Sequence, residues 1–322
     1  MNQAVDWHGK PYYSLDAYCK NNFHHKCYKI ALNAHMSCPN RDGTLDTQGC
    51  IFCSAGGSGE FSVSGLRGFQ ACPDMQSQIQ RGLTYFGDKK VGNHFIAYFQ
   101  AYTNTYAPVS YLESIYTQAL CTPDVCGISI ATRPDCLPEE VIVLLASLKQ
   151  RFPEKFIWIE LGLQTIHEET ARYIRRGYPL AVFDAAVARL WTIGIPVIVH
   201  VILGLPGETP NMVIKTIRYL NSQPVFGIKL QLLHILKNTD LALEYAAGNI
   251  TVLSKEEYLS LLIACLEQLR PDMVIHRVTG DGPAPLLLAP LWSKNKRDVL
   301  NSLHRQMQIQ NSFQGKHYTP GT

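Results

Sequence analysis

The stretch Cys38-Pro39-Asn40-Arg41-Asp42-Gly43-Thr44-Leu45-Asp46-Thr47-Gln48-Gly49-Cys50-Ile51-Phe52-Cys53 sets three cysteines at C-x11-C-x2-C spacing on a loop of Gly, Asn, Asp and Thr. Soft sulfur ligands gathered that closely point to a metal. Three protein thiolates leave one coordination position open, and an open position suits catalysis rather than a structural staple.

Outward from this loop the chain alternates between two periods. Tyr28–Leu32 reads as a strand that runs into the loop. His94–Phe99, Gly127–Ala131, Phe156–Leu161, Val197–Leu203, Gly227–Leu233 and Val274–Val278 read as further strands, rich in β-branched and aromatic residues. Between them lie amphipathic stretches with apolar residues at helical spacing, for example Val141, Leu144, Leu145 and Leu148. The succession predicts about six βα units and a parallel sheet covered by helices, as an open doubly wound sheet or a full or partial barrel. In either case ligand chemistry belongs at the carboxyl ends of the strands, where the cysteine loop sits. The chain divides into a lead segment (1–26), a core (27–285) and a basic helical extension and tail (286–322).

Composition limits the function classes. At 322 residues with 46% hydrophobic and 17% charged residues, the chain can bury one large α/β core. The net charge of +3 is compatible with a polyanionic partner and is no evidence for one. No apolar leader preceded by positive charge and no membrane-length apolar run is present, so the ten cysteines read as reduced thiols of a cytoplasmic protein.

Each motif has a plainer reading beside its functional one. The three cysteines could form a zinc site completed by His35 or Cys27, although no second closely spaced pair exists. The remaining cysteines read as small buried hydrophobes. His24-His25 and the rest of residues 1–26 read as a solvated lead-in, and Lys316–Thr322 as a frayed tail. An H-x-E element with P-C-x-x-C is missing, which excludes a zinc deaminase.

Three cysteines after the first strand of a βα series, with Phe52 just before the last, resemble the radical S-adenosylmethionine (SAM) enzymes. The long gap between Cys38 and Cys50 is similar to the branch containing Elp3, the catalytic subunit of Elongator. More closely still, the chain resembles the YhcC/YtqA-like family. The segments that carry this are Cys38–Gly43, Gly49–Cys53 with Gly57-Ser58-Gly59, and Tyr98-Phe99-Gln100 with Thr103–Pro108. Thr132–Asp135, Glu160–Gln164 and Gly204–Glu208 continue the series.

The resemblance implies a partial parallel (βα)6 TIM-like barrel and a 4Fe-4S cluster on Cys38, Cys50 and Cys53, with SAM on the open iron. It implies SAM contacts from Phe52, Gln100, Gln164, Arg176, His200 and Gly204. His200 stands where relatives often carry an Asp, and a His inside an apolar strand also reads as a satisfied core residue. Gln164 also reads as a turn cap, and Arg176 as a helix-end cation. The segment from Tyr98 to Pro108 lacks the glycines that relatives use for the SAM amino group.

Candidate substrate residues are Arg133, Asp135, Arg277, Asp281 and Trp292, with an Arg133–Asp135 bridge across the barrel mouth as the plain alternative. The basic end, Lys294, Lys296, Arg297, Arg305 and Lys316, could track a phosphate backbone or be a solvated face. By resemblance the expected partners are a tRNA, modified at a wobble uridine side chain, and an electron donor such as flavodoxin or ferredoxin. A small metabolite or porphyrin-like substrate, or a zinc-stabilised binding module, are the alternatives.

Overall fold

Seven strands form one sheet in which each strand lies parallel to its neighbours. They are β1 (Tyr28–Leu32), β2 (Phe95–Phe99), β3 (Val125–Thr132), β4 (Phe156–Gln164), β5 (Val197–Leu203), β6 (Gly227–Leu232) and, after the two-residue strand β7 (Ile235–Leu236), β8 (Val274–Arg277). Their order in space follows their order in sequence, β1-β2-β3-β4-β5-β6-β8. A doubly wound sheet reverses direction at a switch point; this one never does, so it is the barrel-type winding. The computed structural model describes residues 6–57, 59, 60, 62, 74–84 and 92–320. Ser58, within the Gly57–Gly59 motif, and the last two residues of the expected tail lie outside them.

The sheet curls far enough for side chains of distant strands to meet inside it. Lys29 on β1 reaches Glu160 on β4 at 2.8 Å, and Lys229 on β6 reaches Tyr98 on β2 at 3.1 Å. Inward-facing residues alternate with outward ones along each strand, so they stack in layers. The lower layer is apolar: Ile96, Trp158 and Ile198 pack together with Leu15, Tyr18 and Phe226. The layer above is polar, with Tyr98, Ser129, Glu160, His200 and Lys229. Helices cover the outside, among them α2 (Met75–Thr84), α3 (Val109–Cys121), α4 (Glu139–Arg151), α6 (Leu180–Thr192), α7 (Pro210–Asn221) and α9 (Lys255–Gln268). Helix α9 begins with a full capping box between Ser254 and Glu257. Among the described residues no helix is long and apolar enough to cross a membrane.

Both ends of the chain differ from the sequence expectation. Of the expected solvated lead-in (1–26), the described residues 6–26 are not a solvated segment. Ser14 caps α1 (Leu15–Phe23), which buries Ala17 and Cys19 and closes the lower mouth of the half-barrel. Tyr13 lies against the edge strand β8, its carbonyl accepting from Ile275 N at 2.8 Å. At the other end, the described residues just after α10 (Lys296–Ile309) are held in place as far as Tyr318. Gln314 is 1% exposed and His317 N donates to the Glu267 carbonyl. Apolar and amide groups that find partners in distant strands carry no local periodicity, which is why the sequence pattern missed them. A short antiparallel pair, β7 with β9 (Leu287–Ala289), and helix α8 (Asp240–Ala246) complete the upper rim.

Candidate active site

Cys38, Cys50 and Cys53 line one cavity at the carboxyl ends of the strands. Their loop is held by its own backbone and by Arg41. Arg41 N and Asp42 N donate to the Cys38 carbonyl, Gly49 N to the Asn40 carbonyl, and Cys53 N to the Cys50 carbonyl. The Arg41 guanidinium donates to the carbonyls of Cys53 and Ser54 at 2.6 and 2.7 Å, closing the eleven-residue gap from inside. Gly49 sits at φ +78°, and a Cβ there would stand 2.8 Å from Arg41 Nε. Ile51 N donates to the Ile174 carbonyl, which ties the loop to the turn after α5 (Glu168–Tyr173).

The donor set decides between one ion and a cluster. Among the described residues, one group of three His, Cys, Asp or Glu side chains brings its ligand atoms within 4.8 Å of each other, and the cavity cysteines are not that group. Two thiolates on one tetrahedral zinc would lie roughly 3.8 Å apart given bonds of about 2.3 Å. The trio, with at least one pair more than 4.8 Å apart, is too wide for a single zinc. The proposed completers of a zinc site fail as well: His35 is exposed outside the cavity, and Cys27 lies at the opposite end of β1.

Burial pushes the Cys53 thiol up to about 12 and raises Cys50, with Arg41 acting against this on both and Arg133 on Cys50. Asn40 Nδ2 approaches Cys50 Sγ at 3.5 Å. These thiols therefore need a cationic centre to ionise, and the surrounding donors favour the thiolate once it forms.

Gln164 lines the same cavity from the end of β4. The pairing of β4 with β5 shifts register between Gly162 and Gln164, and Gln164 takes φ +66°. That bulge turns the side chain inward, and its Oε1 is buried without a hydrogen-bond partner. A buried orphan acceptor at a strand end suits a ligand hydroxyl or amine. Phe52 and Gln100 line both this cavity and an adjoining chamber.

Arg176 is 2% exposed and committed to the protein. It donates to the carbonyls of Tyr178, Leu163 and Thr165 and to Glu168 at 3.3 Å, bracing the turn after β4. His200 lies on the cavity floor with Nε2 2.7 Å from Glu160 Oε2. Burial and the charge of Lys229 bring it down to about 4, so its imidazole is neutral. Gly204 takes φ +86° outside the cavity lining, where a Cβ would crowd Leu253.

Among the candidate substrate residues, Arg133 forms a bidentate pair with Asp135 at 2.9 and 2.7 Å, a local contact rather than a bridge across the mouth. Arg133 lines the cavity and Asp135 does not. Arg277 and Asp281 line the adjoining chamber together with Gln231 and His234. Trp292 lies elsewhere, its Nε1 donating to the Leu253 carbonyl and its ring packed near Tyr258. Of the basic end, Lys296 pairs with Asp281 and Lys316 approaches Glu267 at 3.7 Å.

Sequence reasoning missed the floor itself. Glu160 is fully buried and receives Lys29 at 2.8 Å, Ser129 at 2.6 Å, His200, and Lys229. Both ammonium groups also lie over the Tyr98 ring, at 4.6 and 4.4 Å. These cations hold Glu160 well below the usual carboxylate range against its burial, and burial depresses Lys229. A lone Lys or Glu inside an apolar strand was the available signal, but no local spacing joins them.

A model of the Radical SAM superfamily matches residues 47–220, and one of the Radical_SAM C-terminal domain matches 225–309. Protein YtqA of Bacillus subtilis is 42% identical over 309 residues, covering 96% of this chain and 93% of that protein. Human Elongator complex protein 3 is 25% identical over 211 residues, covering 64% of this chain and 36% of that protein. The solved structure of Elp3 from the archaeon Methanocaldococcus infernus, with an N-terminal deletion, superposes at TM-score 0.66 and 14% identity. It covers 89% of this chain and 64% of that one.

Proposed function

Because the chain belongs to the radical SAM superfamily, we propose that it is an enzyme modifying a tRNA, at the side chain of a wobble uridine. Its cofactors are those of the superfamily, a 4Fe-4S cluster and SAM. When bound they supply, by one-electron reduction of the sulfonium, a 5′-deoxyadenosyl radical able to take a hydrogen atom from a substrate. Cys38, Cys50 and Cys53 would hold the cluster, since they line one cavity and are too spread for a single zinc. Gln164 Oε1 would accept from SAM, since it is otherwise unpaired in a buried wall. Arg41 fixes the loop, and the Glu160 network with the apolar layer beneath seals the floor from water.

The observation that carries the nucleic-acid part is the path leading out of the cavity. The second chamber shares Phe52, Cys53, Gln100, Gln164, His200, Gln231 and Arg277 with the first. Lys296, bonded to Asp281 at 2.8 Å, sets the start of α10 at that chamber's rim. Lys294 and Arg297 flank Lys296 in the chain and are exposed, with no ion pair among the described residues, whereas Arg305 lies further along α10 beside His304, which bonds Tyr12 at the lower end. Exposed cations beside a chamber rim suit a phosphate backbone that delivers one base inward. The similarity to Elongator complex protein 3 supports the same reading.

A small anionic metabolite is the second reading. Arg277 and Lys296 both face Asp281, which neutralises part of the rim.

Anaerobic reconstitution should give broad visible absorption that Cys38→Ala abolishes, and reduced protein with SAM should release 5′-deoxyadenosine. Nucleosides of tRNA from cells with and without the protein should differ at one uridine derivative. Unchanged tRNA would move the substrate to the metabolite class. Missing 5′-deoxyadenosine in both arms would remove the enzyme reading itself.

A further inference from the structure

At the opposite end of the half-barrel from the cysteine loop, a second set of metal-type ligands converges from three separate stretches. His25 and Cys27 come from the turn between α1 and β1, His94 stands just before β2, and Cys126 is the second residue of β3. Sheet pairing brings them together. Tyr28 N donates to the His94 carbonyl at 3.0 Å, and Phe95 N to the Asp124 carbonyl at 2.8 Å.

The ligand atoms of His25, Cys27 and Cys126 all lie within 4.8 Å of one another. His25 Nδ1 is 3.6 Å from Cys27 Sγ, and His94 Nδ1 is 3.8 Å from Cys126 Sγ. On a tetrahedral zinc with bonds of about 2.1 Å to nitrogen and 2.3 Å to sulfur, those two ligand types stand roughly 3.6 Å apart. The observed separations match that edge. His94 stands outside that group of three, its ring stacked on His25 with centroids 3.2 Å apart and 3° between planes, and the ring must turn out of this stack before its nitrogen can join the other ligands.

A pair of cysteines packed as hydrophobes would not require two imidazoles, and thiol–imidazole hydrogen bonds alone do not explain the convergence of four such groups at one half-exposed spot. We propose that His25, Cys27 and Cys126 bind a divalent metal of the zinc class, with His94, already 3.8 Å from Cys126 Sγ, turning out of its stack to complete the set. Four protein ligands of N2S2 type leave no open position, so the site is structural. Two thiol protons leave to solvent as the metal binds, and the two thiolates balance its charge. The metal would lock the α1–β1 turn onto the amino ends of β2 and β3, on the face away from the radical chemistry.

Elemental analysis tests this on the full chain, because iron and zinc are counted separately. The chain purified without added metal should hold about one zinc per molecule, and the Cys27→Ser/Cys126→Ser variant should lose it while its iron content after reconstitution stays. A second measurement covers a variant that folds poorly. The chain carrying Cys38→Ser, Cys50→Ser and Cys53→Ser, freed of zinc with a chelator, is titrated with cobalt(II). A visible spectrum of tetrahedral cobalt–thiolate type should appear, and vanish when Cys27 and Cys126 are also replaced. Zinc content unchanged in the Cys27→Ser/Cys126→Ser variant would overturn the site. So would a natively folded chain without the cobalt spectrum, or a Cys27–Cys126 disulfide in protein isolated anaerobically.

Discussion

Gln164 holds φ +66° at a register shift of β4 and leaves its Oε1 buried and unpaired. A non-glycine residue in that region is held there by its surroundings, and the natural beneficiary is a ligand. Gln164→Leu should therefore weaken SAM binding to the reconstituted protein by about tenfold or more, the worth of one hydrogen bond to a buried partner. Fold stability should barely move; calorimetric titration and thermal unfolding separate the two. His200 gives a pH prediction. Its folded value of about 4 lies below the ordinary 6.5, so the native state keeps it neutral while the unfolded chain takes a proton. Its contribution is fully present above about pH 6.5 and is lost as pH falls towards 4, on the order of 2 kcal/mol by pH 5. Denaturant titrations at pH 7 and pH 5 should show this loss in the wild type and a smaller one in His200→Gln. Neither residue's setting was legible in sequence: Gln164 was recognisable by its place after a strand, but its bulge and its orphan oxygen were not.

The cysteine loop is an element whose shape depends on one glycine. Gly49→Ala would combine a left-handed φ with a Cβ 2.8 Å from Arg41 Nε, displacing the guanidinium from the carbonyls of Cys53 and Ser54. Reconstituted iron content should fall several-fold, read by iron analysis, while circular dichroism keeps its helical signal because the strands are untouched. The strands themselves were legible. Val197–Leu203 is apolar except for His200 and mostly β-branched, and such a run between helical periods reads as a buried parallel strand. Helix α1 was not, because its packed side chains follow no wide apolar stripe and find partners such as Trp158 on β4, Phe226 just before β6 and Val274 on β8.

Across the whole molecule, the two ends of the chain are joined through Gln314. Its Nε2 donates to the Arg270 and Met273 carbonyls at 2.8 and 2.9 Å, and its Oε1 accepts from Tyr13 N at 2.9 Å. Gln314→Ala leaves those buried groups unpaired and should cost about 2–4 kcal/mol. The denaturant midpoint should drop, and amide exchange at Tyr13 should quicken with it. What the sequence determined by itself was local and periodic: the βα alternation, the strand that launches the cysteine loop, and the C-x11-C-x2-C spacing. These survive because neighbours along the chain specify them. What only the tertiary structure decided was long-range. It chose the barrel-type winding over a doubly wound sheet, set the cavity thiols too far apart for a single zinc, and gathered Lys29, Glu160 and Lys229 into one buried network. It also brought His25, Cys27, His94 and Cys126 together from three strand starts. Charges and ligands dispersed over a hundred residues or more carry no spacing signal, because the parallel register of the folded sheet, not the chain, makes them neighbours.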